Sequence, residues 1–430
     1  MMNQSSIPID KLYDETVLDY KEKWTVNNVH DPAIIKDGDW YYVFSTDAQF
    51  KGDFCSGIQI RKSNDLINWE WVGYAFENGV PAEAESWTGA KGLWAPEIVK
   101  FNQKYYMYYA ASQFGKTQSF IGVATSENIE GPFEDQGLVY KSVQDEEGPN
   151  AIDPNITIDK DGEPWMVYGS FFGGIYLAKI NKQTGKLLDE GRGKLIAQRN
   201  RSVDRALEGP YIVYHPDFEY YYLFVSYDSL FSNYNIRVAR SKSMEGPYLD
   251  FSGNEMTDID SPPYEVGMKL LGGYKFHNSD GWVAPGHNTV LNDDNNFYIC
   301  HHIRAPKDKR WHYLHIRTIL WTEDGWPLIS PQRFAGEEKR RITAEELTGD
   351  WELFKVDQHN DEQDESFRIT VKESNWINKS NNNYHFIFGE NRVSGVVNES
   401  WDWENWTETI VFMGKDQEGT VYLGKRTNSY

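Results

Sequence analysis

Three acidic side chains stand where paired carboxyl chemistry could be done: Asp31, Asp153 and Glu208. They head the short segments Asp31-Pro32-Ala33-Ile34-Ile35, Asp153-Pro154-Asn155-Ile156-Thr157-Ile158 and Glu208-Gly209-Pro210-Tyr211-Ile212-Val213. Two carboxyl groups whose surroundings push their pKa values apart can divide a reaction, one donating a proton while the other activates water. Hydrolysis of a bond between two sugars needs that division. A third carboxylate nearby keeps the donor protonated by like-charge repulsion. Glu208 suits the donor, because its extra methylene extends its reach. A single Asp-Pro is ordinarily a turn or a strand start; three related heads read together as a site.

Two more heads complete a series of five: Glu97 before Ile98-Val99, and His287 before Asn288-Thr289-Val290-Leu291. The heads recur every 55 to 79 residues, and each precedes an aromatic strand such as Trp40-Tyr41-Tyr42-Val43-Phe44 or Tyr105-Tyr106-Met107-Tyr108-Tyr109. Helical periodicity is scarce, and short β-branched and aromatic runs bounded by Gly, Asn and Asp predict an all-β chain. Five radial copies of one unit predict a five-bladed β-propeller over residues 1–340, with the five heads at equivalent positions around one mouth of the channel. Glu97, after Trp94-Ala95-Pro96, is expected to bridge blades rather than act in the site. The Tyr-rich strands are expected to lie buried between blades. Residues 252–274, rich in Gly, Pro and acids, read as a long insertion before the fifth blade.

From about residue 341 the repeat stops. Half-exposed alternation in Asp350-Trp351-Glu352-Leu353-Phe354, 366–371, 384–388 and 420–424 predicts a small C-terminal antiparallel β-barrel or sandwich over 341–430, with a polar loop at 357–365. Trp401, Trp403 and Trp406 could form a sugar-binding stripe. Their alternation is also that of a strand burying its Trp side chains, which is the reading preferred here.

The 430 residues carry a formal net charge of -22. So acidic a surface repels phosphate backbones and anionic lipid heads, which excludes nucleic acid and membrane partners and favours a neutral ligand. Aromatic residues make up 15% of the chain, enough to fill a core and leave platforms for the C–H faces of sugar rings. Cys55 and Cys300 form neither a disulfide framework nor a metal spacing and read as buried free thiols. No apolar run approaches a membrane span, and Met1 to Asp10 show no basic-then-apolar leader.

The segments His30-Asp31-Pro32-Ala33-Ile34, Leu93-Trp94-Ala95-Pro96-Glu97-Ile98, Asn150-Ala151-Ile152-Asp153-Pro154-Asn155, Ala206-Leu207-Glu208-Gly209-Pro210-Tyr211 and Pro285-Gly286-His287-Asn288-Thr289-Val290 together resemble glycoside hydrolase family 43, and within it the endo-1,5-α-L-arabinanases. Phe114-Gly115-Lys116, 168–175, 234–241 and 320–327 extend the resemblance over most of 25–335. The tail resembles the extra β domain of the larger, usually exported bacterial arabinanases.

The resemblance implies roles. Asp31 would be the general base on water, Glu208 the general acid, and Asp153 the group that tunes and orients the acid. Trp94, Gly115, Asn150, Ala151, Ile152, Ser170, Phe171 and Phe172 would line arabinose subsites. His287 would hold one calcium ion, mostly water-coordinated, although calcium prefers oxygen ligands and the residue alone reads as a satisfied core histidine. Arabinan and arabino-oligosaccharides would be the substrates, the protein a monomer, and the location extracellular, with an intracellular one the alternative. Gly209 stands where relatives commonly carry Ala, and Thr289 where Ser is common. Inversion requires the Asp31 and Glu208 carboxyls to stand ~6.5–9.5 Å apart. An exo-acting arabinofuranosidase or β-xylosidase, and a non-catalytic sugar-binding propeller, are the competing readings.

Overall fold

The computed structural model describes residues 7–9, 11–51 and 53–427, so most of the Met1–Asp10 stretch lies outside the described residues. Five four-stranded antiparallel sheets form the blades. From channel to rim the first is Ala33–Asp37, Trp40–Ser45, Gln59–Ser63 and Glu70–Tyr74, and the second Trp94–Phe101, Lys104–Ala111, Phe120–Ser126 and Glu134–Lys141. The third is Asn155–Ile158, Pro164–Tyr168, Ile175–Lys179 and Lys194–Ala197, and the fourth Leu207–His215, Tyr220–Tyr227, Asn235–Ser241 and Met268–Leu271. The fifth is Val283–Asp293, Asn296–Arg304, His312–Trp321 and Pro327–Ile329.

Each innermost strand packs against those of the blades before and after it, and the fifth closes on the first. The closure is also hydrogen-bonded. Leu314 N donates to Val26 O at 2.8 Å, and Asn28 N to His312 O at 3.2 Å. Apolar residues from adjacent blades merge into shared cores between them. Tyr42, Phe44, Met107 and Tyr109 fill the seam between the first and second blades, and Tyr108, Ile121, Met166 and Tyr168 that between the second and third. Aromatic strands are the economical filler for wedge-shaped gaps, since one ring covers the area of several small side chains. This is why Tyr105 to Ala111 is buried along its whole length.

Residues 252–274 are not an insertion before the fifth blade. Met268–Leu271 completes the fourth blade, and Tyr274–Lys275 pairs in parallel with Asp364–Glu365. The segment's polarity masked a four-residue outer strand. The 357–365 stretch likewise ends in a short strand and pins the two parts of the chain together. Lys269 Nζ donates to Asp357 O at 2.7 Å, and Arg237 Nη2 to Gln358 O at 2.9 Å.

Beyond the propeller lies one seven-stranded antiparallel sheet, Gly349–Lys355, Phe367–Val371, Trp376–Ser380, Asn383–Phe388, Asn391–Asp402, Thr407–Lys415 and Val421–Thr427. Its first three strands meet around one core with Trp351, Val371, Trp376 and Phe412. Trp401 is fully buried, while Trp403 and Trp406 are half-buried against it. Cys300 is buried, whereas Cys55 is only half-buried beside Lys21, a correction to the sequence reading; both thiols are free.

Candidate active site

The backbone at the channel mouth repeats more strictly than the side chains do. Asp31, Ala95, Asp153, Gly209 and Ala284 all have positive φ, from 38° to 57°, and each is followed by proline. A left-handed residue locked by the next pyrrolidine ring turns the chain into the innermost strand. Only Asp31 and Asp153 among the five heads occupy that position. Glu208 precedes it by one residue, Glu97 follows by two, and His287 follows by three. The expectation of five equivalent heads is thus corrected. The shift explains Glu97: with Asn155 and Tyr211, at the same offset in their blades, it lies one layer deeper, close to Asn155.

Asp31, Asp153, Glu208 and His287 do converge. Asp31 is 9% exposed. Its Oδ2 accepts from Thr46 Oγ1 at 2.6 Å and His30 Nδ1 at 2.9 Å, and its Oδ1 lies 3.2 Å from His287 Nδ1. Arg304 Nη2 sits 3.0 Å from His30 Nε2. A guanidinium only donates, so Nε2 accepts and the His30 proton must be on Nδ1, facing Asp31. His302 stacks on His30 and takes the Asp31 backbone N–H on its own Nδ1. Burial alone would push the Asp31 carboxyl up. The imidazoles around it, His30 foremost through its N–H, then His287 and His302, more than offset this and hold it well below the usual range.

Glu208 is set the other way. Ser170 Oγ donates to its Oε2 at 2.9 Å and Tyr234 Oη to its Oε1 at 2.7 Å. Desolvation first, then the Asp153 charge, push its carboxyl up to about 8. Asp153 is pushed well up by burial and by Asp31, against a hydrogen bond from Gly209 N at 3.0 Å. Of the three carboxyls in the mouth, Asp31 is thus held low while Glu208 and Asp153 are both pushed up.

The subsite residues divide. Ser170 touches Glu208 directly. Trp94 adjoins Ala95, whose N–H bonds Thr46 Oγ1 at 2.7 Å and so braces the Thr46 contact to Asp31. Asn150 Oδ1 accepts from Ser119 Oγ at 2.6 Å, and Ile152 leads into Asp153. Gly115 and Phe172 are exposed, and Phe171 packs on Phe172. Ala151 has no exposed surface, and its N–H is bonded to Ser142 Oγ. Its side chain packs in the core between the second and third blades, unlike the exposed Gly115 and Phe172. Sequence reasoning assigned no role to Thr46, Tyr234, His302 or Arg304. The one signal was position, since Tyr234 and His302 stand at the mouth ends of strands neighbouring the heads.

The donor set tests the calcium expectation. His30, Asp31 and His302 are close enough to share an ion, but both His30 nitrogens are engaged and one faces a guanidinium. His287 turns Nδ1 to Asp31 and has its other ring nitrogen left. Asn288 beside it is buried, and both its side-chain polar atoms lack a protein partner. This fits an ion held through one imidazole with water as its other ligands, not one caged by protein oxygens.

A propeller whose mouth sets one carboxyl low, at Asp31, against one pushed up and held by two hydroxyls, at Glu208, has the makings of an acid/base glycosidase. The profile of glycosyl hydrolases family 43 matches residues 25–327, and that of a C-terminal lipocalin-like domain matches 331–424. The chain belongs to glycosyl hydrolases family 43. It is 34% identical to the extracellular endo-α-(1→5)-L-arabinanase 2 of Bacillus subtilis (strain 168), over 93% of this chain and 86% of that one. It superposes on the endo-1,5-α-L-arabinanase from Thermotoga petrophila RKU-1 with a TM-score of 0.84 and 32% identity, covering 94% and 99% of the two chains. The α-L-arabinanase of Cellvibrio cellulosa, solved with arabinohexaose, gives a TM-score of 0.62 and 32% identity over 71% of this chain and 96% of that one.

Proposed function

We propose that this chain is an endo-1,5-α-L-arabinanase that cleaves internal bonds of arabinan by single displacement with inversion. The opposite protonation settings of Asp31 and Glu208 in one mouth carry this reading. Asp31 takes a proton from water as the oxygen attacks the anomeric carbon. Glu208 gives its proton to the departing sugar oxygen as that bond breaks. Asp153 disfavours the ionised form of Glu208, while Ser170 and Tyr234 fix the direction of its carboxyl. Two relatives named endo-arabinanases that span both parts of the chain support this substrate and mode.

His287 would hold a calcium ion, which when bound supplies positive charge beside the Asp31 carboxylate. Export of the protein follows the extracellular naming of the same relatives, and action as a monomer is part of the proposal. The deciding experiment is hydrolysis of linear arabinan with product size by chromatography and anomeric configuration by NMR. Mixed oligosaccharides with inverted configuration are expected, lost in Asp31→Ala and Glu208→Ala. Near wild-type turnover in either variant refutes the assignment, and arabinose as sole product transfers the chain to the exo class.

A further inference from the structure

Each blade's first strand runs away from the mouth and its second returns, so the loop between second and third strands lies on the catalytic face. In the second blade that loop, residues 112–119, carries Phe114; in the fourth, residues 228–234, it carries Phe231. Phe114 is 77% exposed and Phe231 49%. Large apolar side chains this exposed call for a purpose when they also meet. Their rings do meet, with centroids 6.1 Å apart at 62°. The second and fourth blades are not neighbours. Their contact therefore spans more than one blade on the catalytic face, where the corresponding loop of the third blade carries Ser170 and Phe172.

Phe231 is itself tied to the catalytic groups. Leu230 O accepts from Arg304 Nε at 2.7 Å, the Arg304 guanidinium lies 4.9 Å from the Phe231 ring, and Arg304 holds His30 against Asp31. Three residues on, Tyr234 holds Glu208. Gly115, with φ 75°, makes the turn that projects Phe114.

We propose that Phe114 and Phe231 form an aromatic bridge over the mouth that selects unbranched chains. A linear run of furanose rings is narrow and passes with its C–H faces against the two rings. A ring bearing a side-branch sugar is wider and meets the bridge. The proposal rests on the arabinan reading above.

The test compares kcat/KM on linear and on branched arabinan for the wild type, Phe114→Ala, Phe231→Ala and the double variant, with melting temperatures to confirm folding. Either single variant is expected to raise the branched-to-linear ratio by about fivefold or more. The double variant should add little, because losing one ring already opens the bridge. A ratio unchanged in all three variants, or equal losses on both polymers, overturns the bridge while leaving the arabinan reading intact. A wild type that cleaves neither polymer overturns that reading instead.

Discussion

Replacing Tyr234 by Phe isolates one hydrogen bond at the acid. The phenol donates to Glu208 Oε1 at 2.7 Å and lowers a carboxyl that burial and the Asp153 charge, against this bond, still push up to about 8. Tyr234 is itself held well above its usual range by burial, so it stays a donor throughout the working pH range. A hydrogen bond to an ionised group contributes about 1.5–3 kcal/mol, and one pKa unit corresponds to about 1.4 kcal/mol. Its loss therefore raises the Glu208 pKa by about one to two units, since the ionised form alone was stabilised. Glu208 must be protonated to act. The alkaline limb of kcat/KM, which reports the free enzyme, moves upward by the same amount. The plateau falls by about tenfold, because the carboxyl keeps only its Ser170 tether. The ring itself is retained, wedged so closely on Gly286 that a Cβ there would fall 2.0 Å from it. The assay is kcat/KM on linear arabinan from acid to strongly alkaline pH, with a melting curve as control. An alkaline limb that stays in place or moves toward acid refutes the role of Glu208 as proton donor.

The same geometry carries four other expectations. Arg304→Met frees the His30 tautomer, so Asp31 loses an N–H donor; kcat should fall about 10- to 100-fold and the acid limb of the profile should move upward, an unmoved limb counting against the tautomer lock. Gly286→Ala drives the Tyr234 ring off Glu208, so activity should fall far more than melting temperature, and parallel losses would contradict this. Glu97, pushed by burial to about 8 from a usual 4.5, holds its proton in the folded state while the unfolded chain releases it. Stability is full below about 4.5 and declines by about 1.4 kcal/mol per pH unit up to about 8; Glu97→Gln should match the wild type in urea unfolding at pH 4 and exceed it at pH 8, and curves that stay parallel at both refute the buried acid. Exhaustive chelation should lower activity or melting temperature, with recovery on adding calcium, and no change in either argues against a functional ion at His287.

The propeller was legible because its filler is repetitive. Aromatic strands such as 105–111 and 220–227 recur at blade spacing and have no other burial solution in a chain without long helices. The acids were legible by type and by their place at strand starts, but not in register, because side-chain chemistry obscured the shared backbone device. Reading the prolines at 32, 96, 154, 210 and 285 instead of the acids would have aligned the blades and set Glu97 one layer down. The outer strand Met268–Leu271 was illegible for the opposite reason: it is short, and its flanks are polar. Thr46 and Tyr234 reach Asp31 and Glu208 across strands of their own blades, 15 and 26 residues away, and Arg304 reaches His30 across the closure of the ring, 274 residues away; no local pattern encodes such contacts.

That register difference sets the surroundings of the two carboxyls apart. Asp31 is the left-handed residue of its blade, so its carboxylate sits at the turn, where Thr46 from the next strand and His30 from the preceding residue both reach it. Glu208 stands one residue earlier, and the left-handed role passes to Gly209. Gly209 has φ 56°, and a Cβ there would come 3.0 Å from the His287 ring. Its N–H is spent on Asp153 rather than on Glu208. Glu208 thus has two hydroxyl donors, no imidazole N–H donor among its described partners, and a neighbouring carboxyl. Comparable burial with unequal donors drives the two pKa values apart. On the roles proposed above, a one-residue slip between two copies of a repeat separates the base from the acid.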